Sequence, residues 1–159
     1  MKTLVVYFSR SGHTEQVAGE IARRCSADLE TIREARDRTG VWGYCRAAWD
    51  ALVRAAPPVL APVRDPAQYD LVVIGTPIWN FQLAPPVRSY AKQQAARFKQ
   101  VAFFCTEGGS GDKNAFDELS RICGKSPIST MVVTESQLPE PAHSQRLQGF
   151  VAQLVPGHG

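Results

Sequence analysis

The fold of this chain is decided by Thr3-Leu4-Val5-Val6-Tyr7-Phe8, followed directly by Ser9-Arg10-Ser11-Gly12-His13-Thr14. The first run is apolar and predicts a buried strand, and a helical pattern begins at Thr14. A helix start leaves its first backbone N–H groups unpaired and carries a partial positive charge. Together with the hydroxyls of the second run, this predicts a phosphate-binding loop. An ordinary helix start capped by Ser9 or Ser11 is the alternative.

Two other kinds of phosphate loop are excluded by the same segment. It contains neither the Gly-x-x-x-x-Gly-Lys-Ser/Thr pattern of nucleoside triphosphatases nor Gly-x-Gly-x-x-Gly. ATP is therefore not an expected ligand, and neither is NAD held at a Rossmann turn.

Short apolar runs alternate with longer helical patterns along the rest of the chain, as in a parallel sheet covered on both faces. The predicted strands are residues 3–8, 29–32, 70–75, 100–105 and 129–134, and the predicted helices are residues 14–25, 86–96, 112–123 and 144–154. We expect a single α/β domain over residues 1–159, a three-layer sandwich with strand order 2-1-3-4-5. In such sheets the ligand lies beyond the carboxyl ends of the strands.

Residues 37–66 depart from this minimal pattern. They contain Trp42, Cys45, Trp49 and Leu52 at helical spacing, followed by a proline-rich connection. Such a stripe favours a crossover helix packed on the sheet, with a lid or a dimer surface as the alternative.

Composition limits the class of protein. The chain has 18 basic and 15 acidic residues, interspersed, for a net charge of +3, so a nucleic-acid partner is not expected. No apolar stretch reaches the ~20 residues of a membrane span, and no signal region precedes the first strand, so we expect a cytoplasmic protein. The four cysteines are widely separated, which predicts buried thiols and no metal site.

Two further loops carry chemistry, and both follow predicted strands. One is Gly75–Arg88, which contains Thr-Pro-Ile-Trp-Asn-Phe, and the other is Cys105–Asp112, which contains three glycines. Glycines allow a backbone to approach a flat ring closely and to offer N–H groups to its carbonyl oxygens. The alternatives are that Trp79 and Phe81 pack as core, and that the second loop only leads to Asp112 as a helix N-cap.

Taken together, the three loops resemble those of the flavodoxin family, in which the first loop holds the 5′-phosphate of FMN. The Thr-Pro loop is similar to that of flavodoxin-like NADPH-dependent FMN reductases and quinone reductases, where it lines the isoalloxazine ring. The resemblance implies an FMN site with Ser9, Arg10, Ser11, Gly12, His13 and Thr14 at the phosphate, Thr76, Pro77, Ile78, Trp79, Asn80 and Phe81 along the ring, and Thr106, Glu107, Gly108 and Gly109 at its pyrimidine end. Arg10 pointing to solvent stays open.

The resemblance implies a redox protein but leaves its reaction open. An electron carrier would need a redox partner protein, and the net charge of +3 favours an acidic one. Flavodoxins also favour a glycine beside the flavin N5, where this chain has Asn80. The alternatives are an NAD(P)H-dependent reductase of FMN, a quinone or a similar small acceptor, and a non-enzymatic flavin-binding module. We assign no catalytic side chain, because a flavin carries the chemistry itself. Flavodoxin-like reductases often dimerise, which makes a homodimer an open expectation.

Overall fold

A parallel sheet with helices on both faces forms the body of the computed structural model, which describes residues 1–35, 57–137 and 142–155. The strands are β1 (Thr3–Tyr7), β2 (Asp28–Thr31), β3 (Leu71–Trp79), β4 (Gln82–Leu83), β5 (Gln100–Glu107) and β6 (Thr130–Thr134). The helices are α1 (His13–Cys25), α2 (Pro85–Gln94), α3 (Asp112–Cys123) and α4 (Ala142–Leu154). The predicted helix with Trp42 and Trp49 lies outside the described residues.

The strand order is β2-β1-β3-β5-β6, with β4 paired to β3 alone. All neighbours along the main path are parallel. The predicted order of five strands is therefore confirmed, and it places the carboxyl ends of β1, β3 and β5 side by side. None of the helices in the described ranges has the length and hydrophobicity of a membrane-crossing segment.

Each face of the sheet has its own core because side chains alternate along the strands. In β1, Leu4 and Val6 pack with the buried side chains of α2 and α3, whereas Val5 and Tyr7 pack with those of α1 and α4. The central strands are covered on both sides, which explains their unbroken apolar sequences.

The prediction of strand three was too short, and the segment after it is not a plain loop. β3 continues to Trp79 and turns back into β4, so that Ile78 pairs with Leu83 and Trp79 with Gln82. The two turn residues, Asn80 and Phe81, have φ of 52° and 64°. Positive φ at both central residues is the geometry of the type I′ turn that suits a tight hairpin.

Helix limits differ from the prediction by one or two residues. α2 runs over Pro85–Gln94 rather than residues 86–96, and α4 begins at Ala142 rather than at residue 144. Proline in the first turn of α2 is favourable because the first N–H groups of a helix have no partner within it.

A buried ion pair joins α2 to α3. Arg88 Nε donates to Glu118 Oε2 and Arg88 Nη2 donates to Glu118 Oε1, each at 2.9 Å. The Arg88 side chain is only 3% exposed, so the pair is shielded from water on the arginine side. Two parallel N–H···O bonds between planar groups make this a strong and directional contact.

Gly75 in β3 faces Phe104 of β5 and leaves no room for a side chain. A Cβ atom at Gly75 would lie 2.1 Å from Cζ of Phe104. Gly75→Ala is therefore expected to lower the free energy of unfolding by about 1–3 kcal/mol, because the ring must shift in a packed core. Urea unfolding measures this change.

Gly19→Ala in α1 is the matched control, since a Cβ there meets no atom within 4 Å. It is expected to raise the free energy of unfolding by about 0.5–1 kcal/mol through helix propensity. Equal stability of Gly75→Ala and the wild type would contradict the overlap.

Candidate functional site

The first loop ends at a helix start that is open to a ligand. Gly12 is the N-cap of α1 with φ of 98°, and no described side chain caps this N-terminus. Ser9 Oγ accepts the Gly12 N–H at 3.1 Å, which closes the loop just before the helix. The alternative of an ordinary start capped by Ser9 or Ser11 is therefore wrong. The exposed Ser11 and the first amides of α1 form a setting suited to an anion.

A buried hydrogen bond joins the first loop to the third. Thr14 Oγ1 and Thr106 Oγ1 lie 2.7 Å apart, and the two side chains are almost fully buried. Because either hydroxyl can donate, the pair satisfies itself without water. The Thr14 side chain thus ties the start of α1 to the end of β5.

Arg10 and Trp79 join the first loop to the hairpin of β3 and β4. The guanidinium carbon of Arg10 lies 4.5 Å from the Trp79 ring centroid, and its Nη2 lies 4.0 Å from Glu34 Oε1. Arg10 is 65% exposed, yet it covers the indole by a cation–π contact. The edge of Phe8 packs against the same indole at a centroid distance of 5.5 Å.

The hairpin tip packs against the third loop. Gly111 has φ of 118°, and a Cβ there would lie 2.7 Å from both Phe81 Cα and Ile78 Cγ2. Phe81 itself is 62% exposed, so the alternative in which it packs as core is wrong. Trp79 is half-buried and contacts the core on the α2 and α3 side of the sheet. Each pair of the three loops is thus in direct contact.

Glu107 is a buried carboxylate at the end of β5. It accepts the backbone N–H of Asp112, the first residue of α3. Its Oε2 has no hydrogen-bond partner, and the residue is 5% exposed. Burial, and secondarily the negative charge of Asp112, raise the pKa of Glu107. The N-cap of α3 is Gly111, so the alternative of Asp112 as N-cap is wrong.

The predicted site residues fall into two groups. Thr14, Thr76, Thr106 and Glu107 have buried side chains, and the other twelve are partly or fully exposed along the carboxyl edge. Thr76 uses its hydroxyl internally, donating to Pro77 O at 2.8 Å and accepting from Ala84 N at 3.3 Å. His13 Nδ1 lies 3.6 Å from Glu135 Oε1.

Sequence reasoning missed three residues that shape this edge. Phe8 and Glu34 hold the Trp79–Arg10 contact, and Gly111 receives the hairpin tip. The last glycine of Gly108-Gly109-Ser110-Gly111 was a usable signal for a close approach, whereas no pattern marks Glu34.

Thiol and metal chemistry have no place among the described residues. Cys25, Cys105 and Cys123 are free thiols, and burial raises the pKa of all three, that of Cys123 to about 11. They are therefore protonated and poor nucleophiles at neutral pH. No cluster of His, Cys, Asp and Glu suited to a metal ion occurs in the part of the chain that is described.

Solved structures share this fold. A flavoprotein in complex with FMN from Lactobacillus acidophilus has 24% identity and a TM-score of 0.69 over 86% of this chain and 95% of its own. A flavodoxin, WrbA-like protein from Agrobacterium tumefaciens has 17% identity and a TM-score of 0.65 over 96% and 95%. The two-electron reduced flavodoxin of Megasphaera elsdenii has 22% identity and a TM-score of 0.58 over 96% and 99%.

At such identities the likeness shows the fold alone, and no curated protein sequence matches the chain. A family model described as flavodoxin, however, matches residues 2–142. This match spans all three loops and nearly the whole described sheet, which confirms the resemblance drawn from the loops. The chain therefore belongs to the flavodoxin family.

Proposed function

We propose that this chain binds FMN at the carboxyl edge of its sheet and transfers electrons through it. The observation that carries the proposal is the direct contact between the three loops, through Thr14–Thr106, Arg10–Trp79 and Gly111–Phe81. Family membership and the FMN complex of the L. acidophilus flavoprotein support the choice of ligand.

The residues present fit this cofactor. The uncapped start of α1, with Ser9 and Ser11 beside it, would take the phosphate. Trp79 and the hairpin would lie along the ring, and the exposed Gly108 and Gly109 would offer amides to its carbonyl oxygens. FMN supplies the redox chemistry when bound. The chain holds and orients it, and the aromatic side chains exclude water from one side.

Two electron-transfer roles compete. In the first, the protein carries single electrons between partner proteins, and its net charge of +3 favours acidic ones. In the second, NAD(P)H reduces the bound cofactor, which then reduces a quinone or similar acceptor. The hairpin favours the second role, because its turn is Asn80-Phe81 rather than a glycine turn. A cytoplasmic location and a homodimer stay predictions.

Anaerobic stepwise reduction of the FMN-loaded protein separates these roles. Absorbance spectra are recorded after each addition of reductant, and NADPH and NADH are added to parallel samples. Accumulation of the one-electron form without bleaching by NAD(P)H would establish the carrier. Direct bleaching by NAD(P)H with little of the one-electron form would establish the reductase. A protein that takes up no FMN would contradict both.

A further inference from the structure

The unpartnered oxygen of Glu107 is the least satisfied group at the candidate site. The carboxylate is 5% exposed, and its Oε2 has no hydrogen-bond partner in the structure. An unpaired buried acceptor, above all a charged one, carries an unfavourable desolvation cost. A ligand that donates to Oε2 would remove this cost.

The position of Glu107 limits where that ligand donates. Residue 107 ends β5, pairs with Thr134 of β6 and precedes the exposed residues 108–110. Its carboxylate also accepts the N–H of Asp112 at the start of α3. Oε2 is thus fixed between the glycine-rich loop and a helix N-terminus, where further backbone N–H groups are close in sequence.

The chemistry of this corner is an acceptor among donors. A carboxylate accepts hydrogen bonds only, whereas the backbone of Gly108 and Gly109 offers N–H donors. The pyrimidine edge of an oxidised flavin presents the opposite order, since an imide N–H stands between two carbonyl oxygens. The two patterns are complementary.

We propose that Glu107 Oε2 accepts the hydrogen bond of the flavin imide N–H and thereby selects flavins with a free imide. This inference rests on the proposed FMN site. Among the described groups, Asp112 is the charge that acts on Glu107, and it is negative. The buried carboxylate therefore has more to gain from a donating ligand than a salt-bridged one would.

The alternative is that Glu107 serves only as a cap of α3. A cap needs one oxygen, which the Asp112 N–H already occupies, and leaves Oε2 unexplained. Both roles predict that Glu107→Ala weakens the structure around the loop, so affinity for FMN alone does not separate them. A ratio of affinities for two flavins does, because a general loosening of the loop affects both.

The experiment compares FMN with FMN methylated at the imide nitrogen, using flavin fluorescence to titrate the apoprotein. We expect the wild type to prefer FMN by about 10- to 100-fold, the strength of one hydrogen bond to a charged group. Glu107→Ala is expected to bring the preference close to 1. Glu107→Gln keeps an acceptor oxygen and the contact with α3, and its preference should lie between the two.

Asp117→Ala is the matched control, because Asp117 is an exposed carboxylate on the same helix. It should keep the wild-type preference. An unchanged preference in Glu107→Ala, or no preference in the wild type, would overturn the role of Glu107 while leaving the FMN site intact. Failure of the wild type to bind FMN would instead overturn the proposed function.

Discussion

Replacing Ser11 by aspartate is expected to weaken FMN binding by about a hundredfold or more, because it places a negative charge within a few ångströms of the phosphate. Ser11 is exposed and directly precedes Gly12, the N-cap of α1. The new carboxylate would also compete for the free amides of the helix start. Fluorescence titration of the apoprotein with FMN measures the loss.

Riboflavin makes this prediction specific, because it has the same ring and no phosphate. Its affinity should be the same for Ser11→Asp and the wild type. Ser11→Asn is the control variant, with the shape of aspartate and no charge, and should lose far less FMN affinity. Equal weakening of FMN and riboflavin would place the phosphate elsewhere.

Thr14 is less suited to this test than the sequence implies. Its hydroxyl is buried and bonded to Thr106, 92 residues away in the chain. A Thr14→Ala variant would therefore report the loss of the contact between two loops as well as any loss at the phosphate.

Breaking the buried pair between α2 and α3 is expected to have the largest effect on stability. Arg88→Met removes both 2.9 Å bonds and leaves Glu118 without its arginine. We expect the free energy of unfolding to fall by about 3–5 kcal/mol, because a partly buried charge loses its compensation. Urea unfolding at neutral pH measures the change.

Two variants test the cause of this loss. Arg121→Met, at an exposed position of α3, should change the free energy of unfolding by less than about 0.5 kcal/mol. The double variant Arg88→Met/Glu118→Met removes both charges and should recover much of the loss. A single variant as stable as Arg121→Met would show that the pair contributes little.

The sheet was predictable because its strands carry strong local signals. β1, β3 and β5 are unbroken apolar runs, and their order follows from the alternation with helices. The hairpin was not predictable by the same means. β4 has two residues, and its turn is Asn80-Phe81 rather than the usual Asn-Gly, so neither periodicity nor turn composition marks it.

The candidate site was predictable as a set of loops and not as a set of contacts. Helix and strand signals place residues 9–14, 76–81 and 106–111 at one edge, and the structure brings them there. Which side chains meet depends on packing between distant segments. Arg10 with Trp79, and Arg88 with Glu118, are pairs that no local pattern encodes.

A titration of the isotope-labelled apoprotein with FMN, followed by amide NMR spectra, tests the central claim most directly. The account predicts saturation at one FMN per chain, with the largest shifts at the amides of residues 11–14, 78–81 and 108–111. Saturable binding that shifts amides elsewhere, or no binding at all, would contradict it.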